Sequence, residues 1–66
     1  MKIKYFHDTD TLYIELRPAH VVETRDLDAD TVLDVDANGA VCAITFEHAR
    51  ERADIANVSF EHLAAA

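Results

Sequence analysis

Sixty-six residues carry thirteen Asp and Glu against six Lys and Arg, a net charge of −7. That surplus repels phosphate backbones and anionic membranes, so it argues against nucleic-acid binding and membrane association. Half of the residues are hydrophobic, too many for a disordered acidic tail, and a chain of this length hides only about 60% of its unfolded surface, so one domain, 1–66, with a small core is expected.

Ile3 and Tyr5 alternate with Lys2 and Lys4, predicting a first strand with one inward face. Asp8, Thr9 and Asp10 supply turn chemistry, because short Asp side chains bond nearby backbone amides. Over Thr11 to Arg17, Leu12, Ile14 and Leu16 point one way and Tyr13 and Glu15 the other, so the first two strands should form a hairpin that Pro18 ends. A short third strand is expected within Val21 to Leu27, with Glu23, Arg25 and Asp26 on its wet side. Asp28-Ala29-Asp30 reads as a turn. Leu33 and Val35 then alternate with Asp34 and Asp36 in a fourth strand, and Cys42, Ile44 and Phe46 line one face of a fifth.

Between the last two strands sits Asn38-Gly39, two residues that take positive φ cheaply and suit a tight hairpin turn. After Glu47 the strand period fades, and His48 to Ala53 contains good helix formers. Ser59 is a suitable N-cap for a second short helix, with Glu61 near its positive end and Phe60 and Leu63 on one side to cover the sheet. The Leu63-Ala64-Ala65-Ala66 end also has helix-forming composition.

The sharpest metal motif is Asp34, Asp36, Asn38 and Gly39, which match the first, third, fifth and sixth positions of a calcium loop. The twelfth position is Thr45, whose hydroxyl cannot supply the two negative oxygens of a Glu, and strand residues two apart share a face without any ion. The plain hairpin is preferred and no cofactor is expected. His7, Asp8 and Asp10 crowd one turn, but adjacent turn residues diverge; His48 and Glu47 would complete a ligand set only if the fold brought them near. Paired acids such as Asp34 and Asp36 could serve acid–base chemistry only if buried, and solvated positions are expected for them.

Cys42 is the sole cysteine, so no internal disulfide is possible, and a reducing, cytoplasmic setting is expected. Its place in register with Ile44 and Phe46 suits a small buried hydrophobe better than a nucleophile. Nor does any apolar run approach the length of a membrane helix, and the opening residues enter a strand pattern directly. Tyr13, Val41 and Ala43, out of phase with the inward residues, are the expected interface positions.

Two blocks together resemble a known family. Tyr5, Asp10, Leu12, Tyr13, Ile14 and Leu16 fit an opening motif of Tyr, four spacers, then Asp-x-Leu-Tyr-Ile-x-Leu; Leu33, Asp34, Asp36, Gly39, Val41, Ile44, Phe46 and Ala49 fit a second. The pattern resembles the small bacterial group called domain of unknown function 2283 over roughly the first fifty residues. Phe6 and His7 depart from the Asp and Pro common after the first Tyr, and Thr45 from a frequent Glu. The resemblance implies a β-rich domain with a terminal helix, no catalytic residues, and at most an antitoxin-like or other protein-binding role.

The reading is an α+β domain: a small antiparallel β-meander of four to five strands with one or two short C-terminal helices. A non-enzymatic interaction module is expected, forming a homodimer or binding a small, basic protein partner, since a core this small needs additional burial. The alternatives are a metal-dependent domain built on Asp34, Asp36 and Asn38, and an antitoxin-like neutralising protein.

Overall fold

The structure is a computed structural model that describes residues 1–64. Five strands, β1 (Lys2–Phe6), β2 (Thr11–Glu15), β3 (Glu23–Asp28), β4 (Thr31–Val35) and β5 (Val41–Phe46), are followed by one helical turn, α1 (Ala49–Arg52). All pairings are antiparallel in the order β1-β2-β5-β4-β3. A β3-β4-β5 meander and a β1-β2 hairpin are therefore joined edge to edge, with β5 at the centre.

Alternation fixes the faces. Leu12 pairs with both Tyr5 and Phe46, and Ile14 with both Ile3 and Ile44, while Leu33 continues the row on β4. Because directly paired residues project to one side of a sheet, these side chains form a continuous apolar row across four strands. The segment after β2 crosses the ends of β5 and β4 to reach β3. Arg17 on this crossing is ion-paired with Asp36 at the end of β4, which fastens the connection to the sheet.

The β4-β5 turn differs from the expected one. Only Gly39 has positive φ, at 81°, and Asn38 does not. Gly39 N–H donates to the Asp36 carbonyl at 3.0 Å, and Asp36 N–H donates to the Ala40 carbonyl at 2.9 Å, the pattern of a three-residue loop ending in a left-handed residue. Asp36 Oδ1 also accepts from the N–H groups of Asn38 (2.9 Å) and Ala40 (3.0 Å), so the carboxylate holds the turn from within.

The fully buried apolar residues are Val35, Cys42, Ala43 and Ala49, joined by Thr31. The expected second helix is not formed: Asn57 to Ala64 has no regular structure, and Val58, Phe60 and Leu63 stand exposed instead of covering the sheet. Ser59 starts a segment with no neighbouring surface to bury an amphipathic face, and a turn or two of helix is not self-sustaining. Of the helix-forming end, Ala65 and Ala66 lie outside the described residues.

Candidate functional site

The molecule measures 37 × 33 × 18 Å, and among the described residues its second layer is a single helical turn. Domains bury a sheet face by laying another sheet or helices on it at about 10 Å. Here α1 covers only the Phe46 end. Leu12, Ile14, Leu33, Ile44 and Phe46 are all only partly buried, and Ile3 is 51% exposed. Between the sheet and α1 opens a cleft of about 320 Å³ lined by Leu12, Ile14, Phe46, Ala49, Arg52 and Ala53.

A turn of four residues cannot hold itself, and Asp10 supplies what it lacks. The Asp10 carbonyl accepts the Ala49 N–H at 3.0 Å, and its Oδ1 accepts the Arg50 N–H at 3.0 Å and Arg50 Nε–H at 3.3 Å. Two first-turn amides that would otherwise be orphaned are capped by a residue forty positions upstream. His48, at the formal N-cap, makes no side-chain cap and sits at φ 53°. Asp10 is likewise left-handed, at φ 54°. Tyr5 donates to the same Asp10 oxygen, and this hydrogen bond, with Arg50 nearby, holds the Asp10 carboxyl below the usual range.

Arg52 secures the other end of α1. Its guanidinium donates to the Asp30 carbonyl at 2.7 Å and to the buried Thr31 hydroxyl, and lies 5.3 Å from the centre of the Phe46 ring. Asp28 completes the arrangement at 3.8 Å.

Charge divides between the two faces. On the apolar face the charged strand residues are Glu23, Arg25 and Asp28, and each is ion-paired, Glu23 with Arg25 and Asp28 with Arg52. The opposite face carries Lys2, Lys4, Glu15, Asp26 and Asp34. Tyr13 lies there too, its hydroxyl pKa raised by burial and then by the charges of Glu15 and Asp34.

The residues singled out from the sequence separate accordingly. Asp36 has one carboxylate oxygen occupied by turn amides and the other by Arg17, and Asp34 accepts from the Thr24 hydroxyl at 3.2 Å. These two acids and the exposed Asn38 do not make a vacant ligand set. Near His7 and Asp8, the Asp10 carboxylate is committed to Tyr5 and Arg50. The fold does bring His48 close to an acid, Asp30, at 3.6 Å. Among the described residues no group of three or more His, Cys, Asp or Glu converges. Cys42 is buried, its thiol directed at the Asp34 carbonyl.

The expected interface set needs correction. Ala43 is 2% exposed, enclosed between β2 and β4 where it pairs with Glu15 and Asp34, so it offers no contact surface. Val41 opposes Val35 at a β-bulge and is exposed, and Tyr13 is half-buried on the charged face. The larger apolar surface is the other one. Phase alone could not reveal this, because it assumes that inward-pointing residues are covered.

The family model described as a protein of unknown function, DUF2283, matches residues 2–50. The chain belongs to this family. The matched span takes in every strand of the DUF2283 domain and the start of α1, so Tyr5, Asp10 and Arg50 fall within it while Arg52 and the exposed C-terminal segment lie beyond. No curated protein and no solved structure gives a significant match to the chain. Among the described residues no helix is long and apolar enough to cross a membrane.

Proposed function

We propose that this chain is a non-enzymatic interaction module of the cytoplasm that self-associates through the apolar face of its sheet. The observation that carries this reading is the partial exposure of Ile3, Leu12, Ile14, Leu33 and Ile44 on a sheet that has, among the described residues, only one helical turn above it. Contiguous exposed apolar surface of this kind marks protein contact. Its charged strand residues are each ion-paired, Glu23 with Arg25 and Asp28 with Arg52 of α1, so like surfaces can approach without strong repulsion, and the unpaired strand charges point the other way.

The test is the mass in solution of the natural chain and of Ile3→Glu, a change at a half-exposed edge-strand position that leaves the fully buried residues in place. A dimer that Ile3→Glu converts to a folded monomer supports the reading. A natural chain that stays monomeric, or a dimer indifferent to Ile3→Glu, contradicts it.

A further inference from the structure

The C-terminal segment leaves a second surface unexplained. Val58, Phe60 and Leu63 are 67%, 83% and 77% exposed, three large apolar side chains within six residues of irregular backbone. The accessible surface is 5148 Å², whereas a compact chain of this mass exposes about 4200 Å². The difference, about 950 Å², is of the order of the roughly 800 Å² that each partner gives up in a standard interface.

We infer that in the self-associated form the segment Val58–Leu63 of each copy crosses onto the other copy, with Phe60 seated in the partner copy's cleft between sheet and α1. This rests on the self-association proposed above and specifies how it is built. The cleft is apolar apart from Arg52 and large enough for an aromatic ring. Arg52 in its wall is 31% exposed, a cation placed to meet Glu61, the residue after Phe60.

Phe60 stands outside its own copy's cleft, which leaves that cleft open to the other copy. Ala53 is both a wall of the cleft and the root of the segment. From there a turn is closed by Asn57, whose N–H donates to the Asp54 carbonyl at 3.3 Å and whose side-chain amide donates to the Asp54 carboxylate. Residues 54–56 then run beside Tyr5 and His7, and Phe60, 83% exposed, does not fill its own cleft.

Two measurements on the full chain test this. Phe60→Asp should weaken dimerisation at least tenfold with unchanged circular dichroism, since the side chain supports nothing within its own copy; unchanged dimer affinity would overturn the inference. In a Cys42→Ala background, Ala53→Cys with Ser59→Cys should oxidise to a covalent dimer on a non-reducing gel. A disulfide within one chain, or none, in a chain that still sediments as a dimer would reject the crossing while leaving self-association through the sheet intact. A monomer throughout would reject both.

Discussion

The Tyr5 hydroxyl lies 2.6 Å from Asp10 Oδ1, the oxygen that also receives the backbone amide of Arg50. One carboxylate thus connects the first strand, the first turn and the helical turn at the far end of the domain. The Tyr-x-x-x-x-Asp spacing therefore has a physical reason: Tyr5 supplies a donor that orients and stabilises the charged acceptor on which α1 depends.

Tyr5→Phe should lower the melting temperature and let the Asp10 carboxyl rise toward its ordinary value, because its largest pKa-lowering contact is lost. Asp10→Ala, which removes the accepting oxygen, should act in the same direction and loosen α1 as well. Carboxyl titration by NMR and amide exchange at Arg50 check both. Unchanged protection of that amide in Asp10→Ala would contradict the capping role.

Acid should unfold the domain. Asp10, Asp28, Asp36 and Glu23 all have lowered pKa values, from Tyr5, from turn amides, from Arg17 and from Arg25 respectively. Carboxyls depressed in the folded state give stabilisation that is complete above the ordinary range, near about 4, and is lost as pH falls through the folded-state values. Thermal melts should be flat near neutrality and fall steeply below about pH 4; a melting temperature constant down to pH 2 would contradict this.

Gly39→Ala should cost about 1–2 kcal/mol, the penalty of a left-handed backbone with a Cβ. It arises from φ alone, since nothing lies within 4 Å of where the Cβ would be. Gly39→Asn should be milder. Urea unfolding of the two variants gives the comparison.

Val35→Ala should destabilise by about 2–3 kcal/mol, from two lost methyl groups and the void they leave. Val35 is 1% exposed, and few other residues share that burial. Ile3→Ala, at a half-exposed position, should change the unfolding free energy of the monomer far less, which separates core from contact surface in one denaturation experiment.

Local pattern made the five strands and the two hairpins legible, and the faces of β2 and β5 with them, but not that of β3: Glu23 and Arg25, expected on its wet side, pair with Val35 and Leu33 and share the apolar face. The β2–β5 pairing was not legible: Leu12 and Phe46 are joined across 34 positions, and nothing in either strand's period names its partner. The helix cap was hidden for the same reason, since Asp10 reads locally as a turn residue. At Asn38 an intrinsic tolerance for positive φ was overridden by the Asp36 carboxylate, which draws the loop into a different turn. At Ser59 to Leu63 a plausible cap and an apolar pair lacked any surface to pack on.

Sedimentation equilibrium of the unmodified chain over a wide concentration range bears most directly on the uncovered sheet face. A species of twice 7.4 kDa that dissociates on dilution is the expected result. A single mass of 7.4 kDa at every concentration up to the millimolar range would contradict it.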